Sequence, residues 1–88
     1  MSNSILVVDG STLSRELITR RLDEALPGAR ITAVGSETEA LARLEQERFS
    51  LVTTALMLPD ADGLELCRHI RHSKRHHYTP VIVISSDA

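Results

Sequence analysis

Side chains able to do chemistry gather at three points of this 88-residue chain, each directly behind a run of apolar or β-branched residues. Asp9 follows residues 5–8; Pro59, Asp60, Asp62 and Gly63 follow residues 51–55; Ser85 follows residues 80–84. Clustered carboxylates at strand ends could hold a hard cation, and one of them could attack phosphorus. A serine hydroxyl beside them could contact the transferred group. The residue closing the middle run is Ala55, and its methyl group has no lone pair for any of these tasks. Thr54 offers a hydroxyl one position earlier, but neighbouring strand side chains point to opposite faces, so it should face away from Ala55.

Each of these residues also has a purely structural reading. Asp9 can bind loop amides or cap the helix that follows, and Asp62 can cap the next helix. Asp60 reads as a solvated turn residue, Ser85 as a loop hydroxyl and Cys67 as a small buried hydrophobe. His69, His72, His76 and His77 share one short segment with Arg68, Arg71, Lys74 and Arg75. Pairs such as His69/His72 could face one way along a helix. No third ligand type accompanies them at structural-site spacing. The segment therefore reads as a basic, solvated helix end that complements the macrodipole and could meet an acidic partner.

The elements that position these residues follow from pattern. Residues 5–8 form a continuous apolar run, as in a strand covered on both faces. Ser11 or Thr12 can cap a helix whose Leu13, Leu17, Ile18, Leu22 and Leu26 share one face, expected to be buried; Pro27-Gly28 stops it. Residues 29–34 alternate, as on a half-exposed edge strand. Ser36 and Glu39 match a capping box before a helix presenting Ala40, Leu41 and Leu44. Residues 51–55 form the third strand. A third helix behind Asp62 turns Leu66, Cys67 and Ile70 inward. A fourth apolar run, 81–84, is closed by Ser85, Ser86 and Asp87. The order βαβαβαβ implies a parallel sheet with right-handed crossovers and helices on both faces. Its strand ends then collect on one edge, where open α/β sheets place their sites.

Composition narrows the class. An apolar fraction of 42% supports a core, and an aromatic fraction of 2% makes that core aliphatic. A net charge of −2 gives no general reason to bind nucleic acid or an anionic membrane. One cysteine excludes an internal disulfide and suits a reducing compartment, so a cytoplasmic location is expected. No segment approaches the roughly 20 apolar residues of a membrane span.

The motifs ILVVD at 5–9, LPDADG at 58–63 and PVIVIS at 80–85, at this spacing, resemble the receiver domain of two-component response regulators. The resemblance covers essentially the whole chain and implies a CheY-like, flavodoxin-like doubly wound sheet of about four strands in the order 2-1-3-4, with three helices. In such receivers an acidic pair after the first strand helps hold Mg²⁺, and an aspartate ending the third strand accepts the phosphoryl group. A Ser or Thr ends the fourth strand, and a lysine follows the fifth. Carried over, Asp9 matches the first acid as a weak metal remnant and Gly10 stands where the second is expected. Ala55 occupies the phosphoacceptor position, and Ser85 matches the switch hydroxyl. Gly10, Met57 and Pro59 form the site edge. The lysine, the fifth strand and the last two helices have no counterpart.

The resemblance thus implies a non-catalytic pseudo-receiver that docks protein partners, an output domain among them, as the N-terminal part of a larger regulator. No cofactor is expected, and Mg²⁺ binding is weak at best. An uncovered fourth-strand edge would favour a homodimer. The alternative is an ordinary phosphorylatable receiver in a shortened form with Ala55 introduced at the acceptor position; the simultaneous absence of an acid at Gly10 argues against it. A nucleotide-binding enzyme on the same topology lacks its cradle, since neither G-x-G-x-x-G nor a Walker motif is present.

Overall fold

A computed structural model describes residues 3–85; Ser86 and Asp87, expected to help close the last strand, lie outside the described residues. The elements run β1 (Ser4–Val8), α1 (Thr12–Ala25), β2 (Arg30–Val34), α2 (Glu37–Gln46), β3 (Leu51–Ala55), α3 (Gly63–His72) and β4 (Val81–Ile84). The four strands form one sheet in the order β2-β1-β3-β4, with every pair parallel. Each crossover therefore contains a helix, as the alternating pattern requires.

Every helix starts on a side-chain cap of the expected kind. Ser11 Oγ accepts from Ser14 N at 3.2 Å, Ser36 Oγ from Glu39 N at 3.2 Å and Asp62 Oδ1 from Glu65 N at 2.8 Å. Each bond satisfies one of the amides that a helix start leaves without an intrahelical partner.

The core lies on one face of the sheet. Leu6 and Val8 of β1, Val34 of β2 and Val52 of β3 pack against Ala40 and Leu44 of α2 and Leu66 and Ile70 of α3, with Phe49 and Leu58 closing the ends. Ile5 and Val7 point to the opposite face, which only α1 overlies among the described residues. The expectation of a buried α1 face fails here: no α1 residue is fully buried, Leu13 is 67% exposed and Leu17 48%. The cause is width. Four strands spaced about 4.8 Å apart are broader than one helix of roughly 10 Å, and α1 sits over β1 and β2. Beside it runs an apolar groove between Leu17, Ile18 and Leu22 on α1 and Thr53, Ile82 and Ile84 on the sheet. Thr53 Oγ1 is buried there without a hydrogen-bond partner. Cys67 is half-buried rather than buried, because it lies on the flank of α3 between inward Leu66 and outward Arg68.

Two polar groups read as solvated turn the chain's loops into fixed structure. Asp60, in the loop after β3, accepts from Glu37 N at 2.9 Å, Thr38 N at 3.0 Å and Thr38 Oγ1 at 2.7 Å. It is a second cap for α2, supplied from more than twenty residues away, and it ties that loop to the helix. The α2 amides, the Glu37 N–H first and then the Thr38 hydroxyl and amide, hold the Asp60 carboxyl below the usual aspartate range.

His76 is the second correction. α3 ends at His72, so His76 lies in the following turn, only 2% exposed. Its Nε2 lies 2.9 Å from Leu44 O, and Thr79 Oγ1 lies 3.4 Å from its Nδ1. A neutral imidazole donating from Nε2 and accepting at Nδ1 satisfies both contacts. The ring stands 6.5 Å from that of Phe49.

Two outcomes follow from this packing. Leu66→Ala should cost about 3 kcal/mol by leaving a cavity in the α3 interface, whereas Leu13→Ala should change stability by less than about 1 kcal/mol; urea unfolding of both variants measures the contrast. The lowered Asp60 value means that its contribution to stability is full above the ordinary aspartate range and is lost as pH falls through the depressed folded value. Asp60→Asn should therefore flatten the acid limb of the stability–pH curve and lower the plateau above it by a pH-independent amount, as thermal melts across the pH range would show.

Candidate functional site

Sheet register brings the three sequence points together. Val8 pairs with Thr54 and Ala55 with Ile84. One step further along the strands, Asp9 comes beside Ala55, and Ser85 comes beside Leu56. The resulting cleft, of about 360 Å³, is lined by Asp9, Ser11 and Ser14 on one side and Ala55, Met57 and Ser85 on the other. Leu17, Ile18, Leu56 and Ile84 supply its apolar floor.

The Asp9 carboxylate is turned to local work. Its Oδ1 accepts from Ser11 N at 2.9 Å, fixing the turn into α1. Its backbone N–H donates to Val34 O at 3.1 Å, and its carbonyl accepts from Arg15 Nη1 at 2.7 Å. Asp62, the other acid near the cleft, is committed to the α3 cap, and Asp60 is committed to α2. Thr54 is buried on the face opposite to Ala55, and its hydroxyl donates to Ala55 O at 2.9 Å. Among the described residues, no group of three or more His, Cys, Asp or Glu is placed to hold a metal ion.

The rim is set by the loop between β3 and α3. Leu56 N donates to Ile84 O at 3.0 Å, Leu58 N to Ala61 O at 3.0 Å and Gly63 N to Leu56 O at 2.7 Å. Met57, 76% exposed, pairs with Asp62 in an isolated bridge. Two glycines allow this compact turn. A Cβ at Gly63 would collide with the carbonyl oxygen of Ala55, and one at Gly10 would stand 3.0 Å from Pro59 Cδ and 3.2 Å from its Cγ. The Pro59 ring thus lies against the place where a side chain at position 10 would begin. The resemblance implies Gly10, Met57 and Pro59 as the site edge; Met57 lines the cleft, whereas Gly10 and Pro59 stand against each other without lining it, a contact that no local pattern shows because the two positions are far apart in the chain.

The histidines do not converge on the cleft. His69 Nδ1 lies 3.1 Å from Glu37 Oε2 on the α2–α3 face, and His76 and His77 belong to the turn after α3.

Comparison with known proteins agrees with this architecture. Residues 5–88 match the response regulator receiver domain family. The chain is 39% identical over 85 residues to a protein-glutamate methylesterase/protein-glutamine glutaminase of Koribacter versatilis, covering 93% of this chain and 22% of that protein. It is 35% identical over 85 residues to the transcriptional regulatory protein GltR of Pseudomonas aeruginosa, covering 97% of this chain and 34% of that one. The chain thus spans about a third or less of these curated relatives. The structure of the chemotaxis response regulator CheY4 of Vibrio cholerae superposes with a TM-score of 0.90 at 23% identity, over 100% of this chain and 72% of that one, a likeness of fold. Four parallel strands in receiver order, a cleft at their carboxyl ends and a family match over nearly the full length give one conclusion: this chain belongs to the response regulator receiver domain family of two-component systems.

Proposed function

We propose that this chain is a pseudo-receiver: a signalling module that works by docking protein partners and does not accept a phosphoryl group. The observation that carries this reading is the methyl group of Ala55 at the cleft end of the central strand β3, the position where receivers carry their phosphoacceptor aspartate. Phosphoryl transfer to a receiver needs an in-line oxygen nucleophile, and a methyl group provides none. The nearest hydroxyl on that strand, Thr54, is buried on the far face and donates to a carbonyl.

The same reading makes Mg²⁺ binding weak. Mg²⁺ demands octahedral oxygen ligands and gives up its waters reluctantly. Among the described residues that line the cleft, Asp9 alone offers a carboxylate, already bonded to Ser11 N, and Gly10 offers no side chain. Gly10, where receivers carry a second acid, also speaks against the alternative of an ordinary receiver altered only at Ala55. Ser85 retains the switch position at the end of β4 with no phosphate to draw it inward.

On this reading the partner is protein: an output domain of a larger regulator, of which this domain is the N-terminal part, or another regulator. Neither nucleic acid nor membrane is a direct target, and the location is cytoplasmic. The chain is further proposed to form a homodimer through the outer edge of β4. That strand reads Val-Ile-Val-Ile, it is an edge of the sheet among the described residues, and Ile82 is 51% exposed beside the apolar groove under α1. Unpaired strand edges of this composition are templates for pairing.

Incubation with acetyl phosphate and Mg²⁺, followed by intact-mass measurement, should leave the mass unchanged; an added phosphoryl group on any residue contradicts the proposal. Light scattering at tens of micromolar should give twice the monomer mass of 9.7 kDa, and Ile82→Lys should return it to the monomer value. A monomer in the unmodified chain rules out the β4 pairing.

A further inference from the structure

We propose that the groove between the end of α2 and the turn after α3 is a docking site for an acidic amphipathic segment of a partner protein. The groove, of about 500 Å³, lies at the far end of α3 from the strand-end cleft, and the proposal does not depend on what happens there. Its floor is aliphatic: Leu41 and Leu44 from α2 and Ile70 from α3. Its rim carries Lys74 and Arg75, with His69 at the opening.

Charge decides the occupant. Residues 68–77 hold Arg68, Arg71, Lys74 and Arg75 and no acid, while the remaining six Lys and Arg share the chain with all twelve Asp and Glu. An otherwise acidic chain therefore concentrates positive charge beside one apolar groove. Among the described residues, Arg68 and Lys74 enter no ion pair. Glu45 also lines the groove, so its α2 wall is not uniformly basic.

The groove is also preformed. Arg71 donates to the carbonyl oxygens of His76, His77 and Thr79, which holds the turn rigid. Arg75 Nη1 donates to Glu45 O at 2.6 Å, spanning from that turn to α2. Buried His76 pins the same turn to Leu44 O. A site that needs no rearrangement loses less affinity to ordering on binding. Aliphatic pockets flanked by cations fit an amphipathic helix with apolar anchors on one face and Asp or Glu beside them. Nucleic acid fits less well, because the groove has no Phe, Tyr or Trp ring on which a base could stack, its His76 ring is buried, and only two permanent cations stand at its rim.

Titration of the ¹⁵N-labelled chain with three probes tests this: a helical peptide alternating Glu with Leu anchors, poly-glutamate, and a single-stranded oligonucleotide. The amphipathic peptide should shift the amides of Leu41, Leu44, Ile70 and Lys74 and bind tighter than either other probe. Lys74→Glu, a surface change that leaves the core intact, should weaken it about two- to fivefold, the scale of exposed charge pairs. Leu41→Glu should weaken it further. Poly-glutamate binding as well as the peptide, the oligonucleotide binding best, or shifts that bypass Leu41, Leu44 and Ile70 would each overturn the proposal.

Discussion

Parallel hydrogen bonding of β3 between β1 and β4 is the constraint on which the rest of the molecule depends. It leaves the carboxyl ends of all three strands on one edge, so Asp9, Ala55 and Ser85 meet although they are separated by 46 and 30 residues in the chain. It also requires a helix in every crossover, and two of those helices, α2 and α3, build the core on one face while α1 lies on the other. Because the central strand is buried on both faces, its side chains alternate strictly between α1 and α3. Thr54 therefore cannot take the place of a side chain at Ala55 without a register slip that would turn Val52 out of the core.

Loops in this chain are held by polar groups that reach across it. Asp60 caps α2 from the β3–α3 loop, and His76 fastens the turn after α3 to the end of α2. Between them, His69 meets Glu37 across the same pair of helices. The α2–α3 layer is thus closed at both ends, which fixes the Met57–Pro59 rim on one side and the basic groove on the other. On the opposite face, α1 alone overlies the sheet among the described residues, leaving Thr53 Oγ1 buried without a partner. The two faces differ accordingly: one is finished by its own residues, and the other presents apolar surface.

What the sequence discloses follows the range of the interactions involved. Element order, helix starts and the gathering of Asp9, Ala55 and Ser85 on one sheet edge come from local pattern: apolar runs, alternation, and Ser or Asp three residues before the amide it caps; the strand order comes from the family resemblance alone. The role of Asp60 is hidden because its partners, Glu37 and Thr38, lie 23 and 22 residues away, and an Asp in a Pro-Asp-Ala-Asp-Gly turn has an adequate local explanation. His76 is hidden for a related reason. A basic, histidine-rich stretch continues the helical pattern past His72, and nothing local says that one ring turns inward to Leu44. The exposure of Leu13 and Leu17 depends on what lies over the sheet, and helix periodicity identifies a face without identifying its cover. The Pro59–Gly10 contact is of the same kind, a tertiary fit between two turns.

In the proposed reading the receiver frame and its chemistry are separable: a sheet edge, a capped turn and a serine behind β4 surround the Ala55 methyl group, and the Asp9 carboxylate is bonded to a backbone amide. Paramagnetic Mn²⁺, a surrogate for Mg²⁺, tests this most directly when titrated into the ¹⁵N-labelled chain. The amides of Asp9, Ala55 and Leu56 should broaden no more than those beside surface carboxylates such as Glu24. Selective, saturable broadening of those three at sub-millimolar Mn²⁺ would show that the cleft still assembles a metal site, and would contradict the account.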